Sequence, residues 1–360
     1  MNSQNNQSTP PTRILVDLIH PAHVHVFRNA IKLWLDHGHE VLVTSRKKDC
    51  TLELLDYYQI KHECLSSISS GMIGQLFELC QRDFKVFRRA RRFKADVLTG
   101  VAGISPAHIG FLLRKPGLVF YDTEFATLSN TITYPFATKV FTPRCYEGDI
   151  GKKHVRYNGY HELAYLHPNR FTADQAVPTR HGLKAPYYIL RFVSWQASHD
   201  RHEKGITLEH KRQLVELLKQ HGTVLISSEG DLPEDLEQYR FNAHPAEMHH
   251  IMAFCSMLIG ESATMASEAA MLGVPAMYIA KSGRGYTNEL EKDFGLVANF
   301  TDQQSTDAIE LTKNWLAKGD ALDSEWRVKQ QKMLTDKIDV TDYIYETVLS
   351  HVQPSGSAKQ

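Results

Sequence analysis

From residue 13 the chain alternates two kinds of hydrophobic pattern. Short, nearly continuous runs of leucine and β-branched residues ("RILVDL", "EVLVTS", "ADVLTG", "GLVFYD", "KVFTP") are separated by longer stretches (23–37, 49–59, 72–93, 103–113, 126–134) whose apolar residues recur at helical spacing. Runs this short and this apolar suit strands buried on both faces, so the pattern predicts a parallel sheet covered by helices on either side. A turn-rich stretch with three prolines, 158–186, interrupts the alternation and reads as a connection. The alternation then restarts with "YYILRFV", a helix at 207–220, "TVLISS", a helix at 246–253, "MLIG", a helix at 264–272, "PAMYIA", a helix at 286–293 and "GLVANF", followed by helices to about residue 351.

This pattern predicts an α/β chain of two Rossmann-like, doubly wound domains facing a cleft. The expected boundaries are a disordered lead-in at 1–12, an N-terminal domain at 13–165, a linker at 166–186 and a C-terminal domain at 187–335. A last helix at 336–352 is expected to pack back on the N-terminal domain. Ligands of such folds bind outside the carboxyl ends of the strands, so every loop that follows a strand is a candidate site.

Composition narrows the function classes. Lys plus Arg and Asp plus Glu both number 41, so net charge gives no reason to expect a polyanion as the main partner, and no nucleic-acid-binding motif is present. Five scattered cysteines without a C-x-x-C pair argue against a disulfide framework or a structural zinc and suit a reduced, cytoplasmic protein. No run reaches the ~18 apolar residues of a spanning helix.

The most informative segment is "MLIGESATMASEAAMLGVPAMYIA", 257–280. A strand ends at Gly260, a tight polar turn Glu261-Ser262-Ala263-Thr264 follows, and an alanine-rich helix starts at once. Free amides and the macrodipole at a helix start favour a diphosphate. Glu268, one turn further on, can accept hydrogen bonds from ribose hydroxyls. An ordinary capped helix with a solvated glutamate is the alternative.

"GESATMASEAAMLGVPA" resembles the nucleotide-binding motif of GT-B glycosyltransferases and non-hydrolysing UDP-N-acetylglucosamine 2-epimerases. Across nearly all of 13–350, with "DLIHPAHVHVF", "YDTEFA", "RYNGYHELAYLHP", "LRFVSWQASHD" and "SGRGYTNELEKDFGLVANF", the chain is similar to the DUF354 family, a resemblance that implies a GT-B-like fold. The resemblance implies a nucleotide-sugar, UDP-sugar in type, lodged in the C-terminal domain, with Ser262, Ala263 and Thr264 at the phosphates and Glu268 on ribose. By position it places Arg284, Tyr286 and Asn288 near phosphate or sugar, although a surface loop capped by Asn288 would look the same. In "RFVSWQASHD", Arg191, Ser194 and Trp195 stand where relatives carry glycines, which suggests side-chain rather than backbone contacts.

The N-terminal domain supplies the acid/base candidates. "IHPAHVHVF" puts His20, His23 and His25 at the end of the first strand, with Pro21 starting a helix. His23 and His25 are two apart and cannot share a helical face, so at most one joins His20. Imidazole suits general-base work near neutral pH; capping the helix is the structural alternative. Asp122 and Glu124, in "VFYDTEFA", are the second candidates, Glu124 the better of the two because Asp122 can cap the following helix. Asp17, inside the first strand, is unusual in a buried position and could orient a histidine.

The segment 82–94, "RDFKVFRRARRFK", reads as a basic face over an apolar stripe of Leu76, Cys80, Phe84 and Phe87. It is either a solvated helix on the core or a peripheral contact with an anionic membrane or acceptor. The expectation for the whole chain is a metal-independent, cofactor-free glycosyltransferase moving a sugar to a glycan or lipid-linked acceptor in surface polysaccharide synthesis, at the inner face of the plasma membrane or free in the cytoplasm. A UDP-N-acetylglucosamine 2-epimerase is the alternative, less favoured because "IHPAHVH" replaces the N-terminal signature of that enzyme. A non-catalytic nucleotide-sugar-binding module is the third reading.

Overall fold

The computed structural model describes residues 11–124, 127–193 and 205–352. The chain forms two compact units. The first comprises Met1–Arg144, Gly148–Tyr157 and Asp339–Gln360; the second comprises Cys145–Glu147 and Asn158–Ile338.

In the first unit, strands β1 (Arg13–Leu18), β2 (Glu40–Lys47), β3 (His62–Ser67), β4 (Val97–Val101), β5 (Gly117–Phe120), β6 (Lys139–Pro143) and β7 (His154–Tyr157) form one sheet in the order β3-β2-β1-β4-β5-β6-β7. Every described pairing in it is parallel. The order reverses between β1 and β4, so the loop after β1 opens at a switch point. The pattern missed β3 and β7 because both are edge strands. "HECLSS" and "HVRY" are only partly covered and so lack the apolar run of a central strand.

The second unit holds β8 (Tyr187–Phe192), β9 (Thr223–Ser228), β10 (Met257–Gly260), β11 (Ala276–Ile279) and β12 (Val297–Phe300), paired in parallel in the order β12-β11-β10-β8-β9. Its switch point lies between β8 and β10. There the strands run so close that a Cβ at Gly260 would collide with the carbonyl of Arg191. The turn-rich stretch 158–186, expected as the end of the N-terminal domain up to residue 165 and a linker from 166, belongs to this unit. It carries the short helices Leu163–Leu166 and Ala176–Arg180, and Tyr160, Leu163, Ala164, Tyr165 and Leu166 are all buried. Its prolines and polar residues hid this packing.

The helix Val340–Ser350 completes the first unit. Val340, Ile344 and Val348 are fully buried, the Trp34 indole donates to the Tyr345 carbonyl at 3.4 Å, and Tyr343 stacks on Tyr157 at 4.8 Å.

The long helix Gly71–Phe93 departs from the expected orientation. Its buried residues are Glu78, Arg82, Val86 and Ala90, whereas Leu76, Cys80 and Phe84 are exposed and only Phe87 packs against the core. The apolar stripe beneath a basic face is therefore corrected: the first half of the helix points polar side chains inward and apolar ones out. The cause is the charge it has to meet. Asp17 accepts from Thr44 Oγ1 at 2.6 Å and from Arg82, which also donates to the Ser45 carbonyl at 2.9 Å. Glu78 accepts from Arg46 and, at 2.7 Å, from Ser66 Oγ. Burial alone would raise the Glu78 carboxyl, but these bonds outweigh it and hold it below its ordinary range. Asp17 thus orients an arginine from a distant helix, not a histidine of its own loop.

Candidate functional site

The helix Ala263–Met271 begins directly behind β10. Ser262 caps it by accepting from the Met265 amide at 3.3 Å, so the first helical amides, those of Ala263 and Thr264, have no partner within the helix. Thr264 is exposed and Ser262 and Ala263 are half-buried. Glu261, expected in this polar turn, turns inward instead. Its buried carboxylate accepts from the Val193 amide at 2.9 Å and the Ile206 amide at 2.7 Å, with Lys211 Nζ at 3.5 Å. It holds β8 and the chain before the next helix to β10.

Glu268 lies on the same helix and is 7% exposed. Tyr165 Oη donates to its Oε1 at 2.9 Å, and His249 Nε2 lies 2.9 Å from the same oxygen. Toward a carboxylate that nitrogen must carry the proton. Both contacts fall on Oε1, so Oε2 has no protein donor among the described residues. The alternative of a solvated glutamate does not hold. Tyr165 and His249 were not singled out in the sequence: one sits in the turn-rich stretch 158–186, the other in "AEMHHIM". The available signal was "ELAYL", too apolar for an exposed connection.

The remaining candidates of this unit are spread over neighbouring strands. Arg191, on β8, donates to Ser227 Oγ at 2.9 Å and pairs with Glu229, so its guanidinium is engaged by the end of β9. Ser194 and Trp195 lie outside the described residues. After β11, Arg284 occupies the cap of the helix Gly285–Lys292 and donates to Ser282 Oγ and the Gly283 carbonyl, both at 3.0 Å. Tyr286 is buried, and Asn288 Nδ2 donates to Glu147 Oε1 at 3.1 Å, so Asn288 is not the cap. Among the described residues no three His, Cys, Asp or Glu side chains gather as a metal-holding group.

In the first unit, His20 caps the helix Pro21–Asp36, its Nδ1 accepting from the Ala22 amide at 3.2 Å. Burial, with Lys48 adding to it, pushes this imidazole down to about 4, against a weaker opposing pull from Asp49 and Asp122. With Nδ1 accepting and Nε2 carrying the proton, His20 is a neutral donor at pH 7 and a poor base. The buried ring of His23 lies 5.6 Å from it, whereas His25 turns away to Arg28, 3.5 Å, and the ring of Tyr58, 5.9 Å. One histidine joins His20, as the spacing requires, and it is His23. On the loop after β5, Asp122 Oδ1 accepts from Thr123 Oγ1 at 3.1 Å, and Glu124 is half-buried.

The His20 cap makes stability pH-dependent. Its folded-state value lies below the unfolded one near 6.5, so the stability it contributes is present above pH 6.5 and lost as pH falls through about 4. His20→Asn keeps a capping acceptor that does not titrate. Urea midpoints measured across this window are expected to fall less for the variant than for the native protein; parallel curves would refute the assignment.

A model of the family described as "Protein of unknown function (DUF354)" matches residues 12–353. The chain belongs to the DUF354 family. A curated relative, the uncharacterized protein MJ0665 of Methanocaldococcus jannaschii, is 24% identical over 130 residues, 36% of this chain and 38% of that protein. The match thus spans well under half of the relative's length. The UDP-GlcNAc 2-epimerase from Neisseria meningitidis, solved bound to UDP-GlcNAc, aligns with a TM-score of 0.66 at 12% identity, covering 94% of this chain and 100% of its own. MurG of Acinetobacter baumannii aligns with a TM-score of 0.58 at 15% identity, covering 94% and 100%. At such identities the likeness shows the fold: this DUF354 protein is a two-unit α/β chain of GT-B type.

Proposed function

We propose that this protein is a nucleotide-sugar glycosyltransferase that takes a UDP-sugar donor on its second unit and passes the sugar to a glycan or lipid-linked acceptor of surface polysaccharide synthesis on the cytoplasmic side. The observation that carries the reading is the presentation of Glu268. Tyr165 and His249 fix one carboxylate oxygen, and the other is left to accept from a ribose hydroxyl. One turn earlier on the same helix, the amides of Ala263 and Thr264 and the helix dipole favour a diphosphate. The chemistry is metal-independent in this reading, because preorganised amides can meet the charge of the leaving diphosphate, with Arg284 as an additional cation. On the first unit His23 is the proposed base and Glu124 the alternative, with His20 a neutral donor beside His23.

Glu268→Ala is expected to weaken UDP binding by roughly 1.5 to 3 kcal/mol, about ten- to a hundredfold, since a hydrogen bond to a charged group is lost. Calorimetric titration with UDP in the presence of EDTA checks both parts. Unchanged affinity in the variant would remove the ribose role, and UDP binding that appeared only after a divalent ion was added would remove the metal-independent reading. Incubation of the native protein with a UDP-sugar alone is expected to give slow hydrolysis at most. Clean conversion to a 2-epimer would assign the epimerase chemistry instead.

A further inference from the structure

The outward face of the Gly71–Phe93 helix has no partner among the described residues. Met72, Ile73, Leu76, Phe77 and Phe84 are 71%, 86%, 62%, 70% and 61% exposed. At 100° per residue they fall within an arc of roughly 140°, opposite the buried Glu78, Arg82 and Val86. Single exposed apolar residues are ordinary; five on one helix face are not. The same line runs on through Arg88 and Arg91, four and seven residues beyond Phe84, with Arg92 and Lys94 also exposed. The two acids of the helix are both engaged, Glu78 by Arg46 and Asp83 by His108 at 2.7 Å, and Glu63 pairs with Arg89 at 2.6 Å, so among the described residues no carboxylate pairs with Arg88, Arg91 or Arg92. The neighbouring helix Ile104–Leu113 ends on exposed Phe111 and Leu112, followed by exposed Arg114 and Lys115.

We infer that this face docks on an anionic lipid surface, Ile73, Leu76 and Phe77 entering the headgroup boundary while Arg88, Arg91 and Arg92 meet lipid phosphates. Apolar side chains that project fully from a helix, followed by a run of cations, are the two halves of an interfacial anchor. A second copy of the chain fits less well. Pairing two such helices antiparallel would lay arginines on the partner's apolar end, where no carboxylate meets them. Among the described residues no helix is long and apolar enough to cross a membrane, so the contact is peripheral. This differs from docking through 82–94 alone, because the inserting half lies upstream, at 72–84. The inference rests on the exposed face and not on the transferase reading, and it survives a failure of UDP binding.

The test is co-sedimentation of the full chain with vesicles of phosphatidylcholine alone and of phosphatidylcholine with phosphatidylglycerol. Binding to the anionic vesicles only, weakened by salt, is expected. Ile73→Glu with Phe77→Glu, and separately Arg88→Glu with Arg91→Glu, should each lower that binding about tenfold or more. Thermal midpoints should be unchanged, because all four side chains project outward. Failure of the native chain to sediment, or variants that bind as well as it does, would overturn the inference. So would a concentration-dependent dimer in velocity sedimentation that Ile73→Glu with Phe77→Glu dissolves, which would assign the face to a second copy.

Discussion

Arg82→Met is expected to destabilise the first unit by about 3 to 5 kcal/mol, the range for removing one partner of a buried ion pair. Arg82 and Asp17 are each 3% exposed, and without the guanidinium Asp17 keeps only Thr44 as a donor among the described residues. The Ser45 carbonyl and Ser66 hydroxyl lose a donor at the same time. The double variant Asp17→Leu with Arg82→Met should be less damaged than the sum of the two single changes, since neither charge is then left alone. Urea unfolding of all three variants checks this. An Arg82→Met protein as stable as the native one would mean that the pair contributes nothing.

His23→Ala is expected to lower turnover with a UDP-sugar and acceptor by about 10² to 10⁴-fold, the usual loss on removing a general base, and to abolish the acidic limb of the pH profile. UDP affinity should stay as it is, because His23 belongs to the first unit and Glu268 to the second. This pattern is the reverse of that for Glu268→Ala. Full turnover with the profile intact would pass the role to Glu124, tested through Glu124→Gln by the same two measurements. Loss of the fold in His23→Ala would make the buried imidazole a packing residue, and His23→Gln would then be the informative variant.

The central strands were legible because burial on both faces writes an unbroken apolar run, as in "RILVDL" and "YYILRFV". The edge strands β3 and β7 were not, since partial exposure erases that signature. At the candidate site, the helix start after Gly260 and the place of Glu268 one turn on could be read from their spacing, which is local, whereas the cap by Ser262 came from the structure. Tyr165 and His249 lie 103 and 19 residues from Glu268 in the chain, and no periodicity encodes such a contact. Asp17 was visible as an anomaly in a buried strand, but its partner is 65 residues away. That distant charge also reversed the reading of the Gly71–Phe93 helix: amphipathic reasoning assigns apolar residues to the interior and fails where the interior is itself charged. Glu261 was legible only as a member of a polar turn, because an acid beside a phosphate-type turn looks the same whether it faces a ligand or two backbone amides.

The return of Val340–Ser350 to the first unit has a consequence for the order in which the protein is made. Unit one is interrupted after Tyr157 and resumed only at Asp339, so the ribosome must deliver all of Asn158–Ile338 before the helix that covers Trp34 and Tyr157 exists. The nascent first unit waits with that apolar surface uncovered, while the second unit, nearly contiguous in sequence, has every strand it needs before synthesis ends. The domain emerging later from the ribosome is thus the one able to finish folding earlier, and a chaperone that shields exposed apolar surface would find its binding site at Trp34 and Tyr157 of the first unit.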